Sequence, residues 1–314
     1  MVRYNNGFEN GSKKSLNEQV KDIVSSRASR QDKINALVKL GIRENEIQFI
    51  MPVYGRVKAT PKAKAFKFTF GVEIECVMSR IRFENVASQT GVPYNYEHYN
   101  HTDNKEYFKF TTDSSISRSS NREGDPIECV SPILDGTKKG FDKLQLCCKS
   151  LNEAGAYVNR STGLHVHIGA RGLTGQQYVN VFKNYQKLEA VIDTFMAESR
   201  RNCHWCATLR GYDFSNCYSQ RDVYREMNGD RYHKVNPVSY GAHGTIEFRQ
   251  HQGSTDFKKI KAWVNFCAKL VAYSMDNVLS ESITNVDAIP FLTDTEKSFF
   301  KTRQQQLANG REAA

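Results

Sequence analysis

The sequence predicts an α+β protein, one sheet backed by helices and preceded by a small, basic helical extension. Two observations carry this. Four short stretches alternate apolar residues with acidic, imidazole or guanidinium side chains at the two-residue period of a strand, so each has a greasy face and a polar face. Three longer stretches, at 137–154, 174–201 and 256–276, carry the apolar stripe of helices that bury one side, and a fourth helix is expected over 293–310.

Taken in order, residues 1–17 are rich in Asn, Gly, Ser and Lys and read as a flexible tail. Val20, Ile23, Val24, Ile34, Leu37 and Leu40 have helical spacing, interrupted near Ser25–Arg30, and Gly41 stops the second segment. A further short helix is expected over 44–50, and 56–66 reads as a basic linker. The body opens at Phe66. Phe68, Phe70, Val72, Ile74 and Cys76 alternate with Thr69, Gly71, Glu73 and Glu75. Residues 84–104 read as an irregular insertion, 107–112 as a strand ending at Asp113, and 126–130 as a strand bearing Glu128. The helix over 137–154 ends at Gly155. Next comes Ser161-Thr162-Gly163-Leu164-His165-Val166-His167-Ile168-Gly169, a strand with an aliphatic face and two imidazoles opposite. After the helix over 174–201, the strand 244–251 turns Thr245, Glu247, Arg249 and His251 one way, and Ile246, Phe248 and Gln250 the other. Thr293 is the expected N-cap of the last helix. The division is an extension over 1–65, a body over 66–280 and a C-terminal helix and tail over 281–314.

The chain has 314 residues and a net charge of +10, unevenly distributed. Residues 1–67 hold 14 Lys/Arg against 6 Asp/Glu, and the rest is nearly neutral. A basic extension suits an acidic partner or nucleic acid, and equally a solvated face. No apolar run reaches the roughly 18 residues of a membrane span, so no membrane partner is expected. Cys203-His204-Trp205-Cys206 is a single CxxC, to which Cys217 could add a third thiolate. It lacks the second CxxC or paired histidines of a zinc site, and the eight cysteines read as free thiols of a cytoplasmic protein.

Each polar pair has a bland reading. His165 and His167 alone are two satisfied histidines, Glu73 and Glu75 a solvated face, Glu247 and Arg249 an ion pair. Their repetition on four strands points elsewhere. If the strands share a sheet, one face becomes a wall of close carboxylates that cannot all stay ionised without cations. Hard divalent ions with oxygen ligands, Mg²⁺ or with an imidazole Mn²⁺, answer that need. Arg249 adds a fork for phosphate or carboxylate. There is no Walker A loop and no GxGxxG.

The order FGVEIE (70–75), Asp113-Ser114-Ser115-Ile116, IECVSPIL (127–134), the run from Gly155 to Gly169, Ser199-Arg200-Arg201 and GTIEFRQHQGS (244–254) resembles the amidoligase family. That family is a branch of the carboxylate–amine ligases related to glutamine synthetase and glutamate–cysteine ligase. The resemblance covers about 66–275. It implies a curved, mostly antiparallel, glutamine-synthetase-like sheet whose concave face holds ATP and divalent metals. It also implies roles: Glu73, Glu75, Glu128, His165 and Glu247 as metal ligands, with Glu73 and Glu75 on separate ions. His165, His167, Arg200, Arg201 and Arg249 would lie at the ATP phosphates, Arg249 stabilising the transferring phosphoryl group. Asp113 stands where the family reads Asp-Gly-Ser, with Ser114 in place of the glycine, and is the candidate base. Arg231, Tyr232 and Asn236 match a stretch near the substrate.

The expected function is ATP- and Mg-dependent ligation of a carboxylate to an amine, a peptide among the candidate substrates, through an acyl phosphate. Two rivals are a metal-dependent phosphotransferase or hydrolase, which needs no amine, and a non-catalytic basic nucleic-acid-binding protein.

Overall fold

The computed structural model describes residues 14–26, 28–42, 47, 68–98 and 106–310. The chain divides into two compact units, Met1–Ala65 and Phe66–Ala314. In the first, helix α1 (Leu16–Ser25) starts from a capping box between Ser15 and Glu18, and α2 (Arg30–Lys39) from Ser29. Val20, Val24, Leu37 and Ile47 form a small apolar cluster of their own. Apart from Ile47, the short helix expected over 44–50 lies outside the described residues, as does the linker over 56–66.

The second unit is α+β, with one open eight-stranded sheet. Its strands are β1 (Thr69–Met78), β2 (Tyr94–Tyr96), β3 (Phe108–Thr112), β4 (Asp125–Val130), β5 (Leu134–Asp135), β6 (Gly163–Gly169), β7 (Val235–Asn236) and β8 (Thr245–Gln252). The spatial order is β2-β3-β4-β1-β6-β8-β7, with β5 also on β1. Only the β2–β3 pair is parallel; the other pairs are antiparallel. Phe70, Val72, Ile74 and Cys76 of β1 join Leu164, Val166 and Ile168 of β6 in one core. The helices α4 (Lys138–Glu153), α5 (Gly175–Thr194) and α8 (Phe257–Ser274) bury their stripes in the same core. Burying such side chains stabilises by about 25 cal/mol per Å² of apolar area, and it fixes the sheet's other face for polar work. The C-terminal helix α9 (Asp294–Ala308) starts at Thr293, through a capping box with Glu296, and sets Phe300 against Phe195 and Phe266. No helix among the described residues is long and apolar enough to cross a membrane.

Residues 84–104, expected to be irregular, differ. Helix α3 (Arg80–Thr90) runs from the Ser79 N-cap to a left-handed Gly91, and β2 follows. The helix buries only Phe83 and Ala87, too few for a visible stripe. Phe83 anchors it, edge-on to Tyr94 at 5.2 Å and tilted over Phe110 at 4.6 Å. The helix expected over 174–201 is shorter. It stops at Thr194 and a separate 3₁₀ turn spans Glu198–Arg200; buried Phe195 and Met196 carry the apolar pattern past the break. Two short helices, α6 (Gln220–Glu226) and α7 (Ser239–His243), lie in the long connections.

Strand β8 corrects a further expectation. Ile246 and Phe248 pair with the core residues Ile168 and Val166, but a register shift follows, and His251 pairs with Leu164. That bulge turns His251 to the core side, away from Glu247 and Arg249, where its ring lies tilted against Trp263 with centres 5.8 Å apart. Burial there, with Arg303, Lys259 and Arg200 nearby, drops its imidazole to about 3. Its proton is bound in the unfolded chain below the usual imidazole value and excluded from the fold. His251 therefore supports stability at neutral pH and withdraws it as pH falls from about 6.5 towards 3. Chemical denaturation at pH 7 and pH 5 should show a loss of about 2 kcal/mol from this group. His251→Phe should flatten that part of the profile, and an unchanged slope would refute the assignment.

Candidate functional site

The polar face of the sheet is built by register. Glu75 of β1 lies opposite Glu128 of β4, and Glu73 opposite His165 of β6. His167 lies opposite Glu247 of β8, which faces Asn236 of β7. Directly opposed side chains on one face sit close enough to interact, so the sequence alternation becomes a contiguous row across five strands. The row forms the wall of a cavity of about 1530 Å³.

Two sets of donors emerge. Ligand atoms of Glu73, His165 and Glu247 lie within 4.8 Å of one another, and so do those of Glu75, Glu128 and His165. Glu73 and Glu75 thus fall in different sets, and His165 belongs to both. Its Nδ1 is 2.8 Å from Glu73 Oε2, and its Nε2 is 3.4 Å from Glu75 Oε1. His167 makes a hydrogen bond to the other Glu73 oxygen at 3.2 Å and one to Thr245 Oγ1 at 3.0 Å. Among the described residues these are the only sets of three or more metal-capable side chains. Cys203, Cys206 and Cys217 do not form one.

Gly163 makes the crowding feasible. Its amide donates to Glu75 Oε2 at 2.6 Å. A Cβ there would come within 2.9 Å of the Arg200 guanidinium and 3.2 Å of His165 Nε2.

Charge is unevenly compensated along the row. Burial pushes Glu73 up, but His167 and His165 outweigh it and hold the carboxyl well below the usual range. Glu247 is lowered as well, because Arg249 and His167 outweigh its burial. Burial lowers His167, but Glu73 and Glu247 outweigh it and raise the imidazole. Glu128 differs: burial first, then Glu73, Glu75, Asp113 and Glu247, all push it well above the carboxylate range. At the β4 end of the wall, burial and crowding by acids dominate this carboxyl.

Arg249 is clamped. Its Nη1 donates to Glu247 Oε1, its Nε donates to the Trp205 carbonyl at 3.4 Å, and its guanidinium lies 5.9 Å from the Tyr232 ring centre. Behind it, Lys234 carries its carbonyl to the Arg249 amide at 2.9 Å. The Lys234 side chain is fully buried on the α5 side, bonded to Glu189 at 2.9 Å and Asp193 at 2.6 Å. Removing one partner of such a buried pair costs roughly 3–5 kcal/mol, so the pair fastens the β7–β8 edge.

The remaining expected residues are placed as follows. Arg200 lines the cavity and donates to the Arg249 carbonyl. Arg201 does not line the cavity: its side chain donates to the Met196 carbonyl at 3.2 Å, since successive residues of a 3₁₀ turn point about a third of a turn apart. Arg231 lines the cavity, and Tyr232 stacks beside His204 and Trp205. Asn236 Nδ2 donates to Glu247 Oε2, which fixes that carboxylate. Asp113 lines the cavity and accepts the Ser115 amide at 2.7 Å. Lys109 and Thr111, not singled out beforehand, also line it. Their alternation with Phe108 and Phe110 was the available signal.

Residues 67–271 match the model of a family described as "putative amidoligase enzyme". The match covers more than half of the chain and all the row residues, and the chain belongs to that family. No curated protein matches the chain.

The raised Glu128 has a measurable cost. A carboxyl held up in the fold favours folding below its unfolded value and opposes it as pH rises. In EDTA at pH 8, Glu128→Gln should therefore melt several degrees higher than the wild type, with the gap closing near pH 5. Equal melting at both values would refute the charge imbalance.

Proposed function

We propose that this amidoligase-family protein is a glutamine-synthetase-like, ATP- and Mg²⁺-dependent carboxylate–amine ligase. The observation that carries the reading is the pair of carboxylate sets meeting at His165, with Arg249 clamped alongside. The donor set fits hard divalent cations, since carboxylate oxygens dominate and a single imidazole is shared, which also admits Mn²⁺. The upward push on Glu128 supports the same fit, because burial and the carboxylates of Glu73, Glu75, Asp113 and Glu247 raise it together. Glu73 and Glu247 would hold one cation and Glu75 and Glu128 a second, with His165 completing one of the two sets. A neutral imidazole has one lone pair, so His165 can ligate in one set and donates its N–H in the other. Bound there, such ions neutralise phosphate oxygens and favour phosphoryl transfer.

The chain's own residues position and stabilise. Arg249, held by Glu247 and the Trp205 carbonyl, meets the transferring phosphoryl charge without reorganising. Arg200 adds a second guanidinium to the cavity wall. The substrate carboxylate oxygen attacks the γ-phosphorus, the bond to the β-phosphate oxygen breaks, and ADP leaves. The amine then attacks the acyl carbon, phosphate leaves, and an amide or isopeptide remains. Asp113, at the negative end of the wall, is the candidate to take the amine proton. The cavity exceeds the roughly 300–1,000 Å³ of ordinary small-ligand sites, which supports room for a nucleotide and a second substrate, a peptide among the candidates. A cytoplasmic location is part of the reading, supported by eight free thiols.

The test supplies ATP, Mg²⁺ and pools of carboxylates and amines, and follows ADP and amide product. ATP turnover should require an amine, Glu73→Ala and Glu247→Ala should abolish it, and Arg249→Lys should lower it roughly 10²–10³-fold. Equal turnover with and without amine would replace the ligase with a phosphotransferase or hydrolase.

A further inference from the structure

The CxxC stretch has a place that the proposed chemistry does not use. Cys203 and Cys206 face each other as an isolated antiparallel bridge, and the Cys206 amide donates to the Cys203 carbonyl at 3.1 Å. Their sulfurs lie 3.2 Å apart. Cys203 is partly exposed, while Cys206 is buried with its Sγ 3.3 Å from the Arg200 carbonyl. The two-residue span between them contains Trp205, which lines the cavity and whose carbonyl accepts from Arg249 Nε. The turn therefore joins an accessible thiol, a buried thiol in contact with it, and a backbone group that holds a cavity arginine.

We propose that Cys203 and Cys206 form a reversible thiol–disulfide site for hydroperoxides, with Cys203 as the attacking sulfur and Cys206 as the resolving one, and that its closure shifts the Trp205 peptide against Arg249. The asymmetry of the pair supports these roles. The hydrogen bond from Cys206, more than offsetting burial and joined by Arg200 and the Trp205 and Cys206 amides, pulls the Cys203 thiol down to about 5. The same hydrogen bond and burial push the Cys206 thiol up. The other cysteines, Cys76, Cys129, Cys147, Cys148, Cys217 and Cys267, are all buried.

The chemistry balances. The Cys203 thiolate attacks the terminal peroxide oxygen; an S–O bond forms, the O–O bond breaks, and the departing oxygen takes a proton and leaves as water from hydrogen peroxide or as the alcohol from an organic hydroperoxide. Cys203 is then a sulfenic acid, oxidised by two electrons as the peroxide is reduced. The Cys206 sulfur attacks Cys203; an S–S bond forms, the S–O bond breaks, and the hydroxyl leaves as water with the Cys206 proton. The sulfurs close from 3.2 Å to a bond of about 2.05 Å. The Trp205 peptide lies inside the ring so formed.

The test uses the full chain and hydrogen peroxide near neutral pH, with peptide mass spectrometry, differential alkylation and tryptophan emission. The peptide holding Cys203 and Cys206 should lose two hydrogens and resist alkylation until a reductant is added. At pH 6, where an ordinary thiol is almost wholly protonated, Cys203 should be alkylated several-fold faster than an ordinary thiol. Emission should shift on oxidation and return on reduction. Only Trp205 and Trp263 are present, and Trp263 is fully buried, so Trp205→Phe should abolish the shift. In Cys206→Ser, Cys203 should stop at a dimedone-reactive sulfenic acid; in Cys203→Ser, Cys206 should stay reduced. The proposal is overturned if Cys203 is oxidised no faster than the buried cysteines, if Cys203 fails to pair with Cys206, or if oxidation leaves Trp205 emission unmoved. None of these readouts uses ATP turnover, so they decide the thiol site independently of the ligase reading.

Discussion

The row of buried acids and imidazoles exists because backbone register leaves the side chains no alternative. Glu75 faces Glu128, Glu73 faces His165 and His167 faces Glu247 through ladder hydrogen bonds whose own stability comes from the apolar side of the same strands. A slip of one residue would send Phe70, Val72 and Ile74 into the cavity and the acids into the core. The core thus enforces a concentration of like charge that no local interaction favours. Gly163 completes it by letting β6 approach Arg200 and Glu75 without a side chain between them.

Compensation follows a gradient. At the β8 end, His167 and Arg249 meet Glu73 and Glu247, and the carboxyls are lowered. At the β4 end Glu128 is raised by its neighbours. A second, separate ion group behind the sheet sets Lys234 and Arg210 against Glu189 and Asp193, two cations to two acids. One is complete and ties the β7–β8 edge to α5. The other is incomplete and open to the cavity, which is where a charged partner finds purchase.

Much of this was legible beforehand. Period-two alternation puts Glu73, Glu75, Glu128, His165, His167, Glu247 and Arg249 on one face, helical stripes give α4, α5 and α8, and the Thr293 N-cap gives α9. What pattern could not supply was pairing: nothing local says that His165 sits between two acid sets. Helix α3 escaped notice because Phe83 and Ala87 are its only buried residues. Arg200 and Arg201 are chemically alike, and the phase of a three-residue turn separates them. Lys109 and Thr111 give a weaker signal because their strand is buried on both faces. Alternation alone puts His251 on the cavity side because it assumes an unbroken ladder.

That broken ladder gives β8 two phases. Up to Arg249 its odd-numbered residues belong to the cavity; by His251 an odd-numbered residue belongs to the core. One strand can then end a reactive wall and begin a hydrophobic seam without a turn. It also makes length a functional variable there. Removing Gln250 would make the ladder regular but take out the amide that bonds Tyr185 and Asp193 behind the sheet, and inserting a residue there would lengthen the bulge and carry His251 out of phase with Leu164 and Trp263. Substitutions around the bulge leave this count intact, whereas insertions and deletions change it, so this short segment should tolerate changes of identity far better than changes of length.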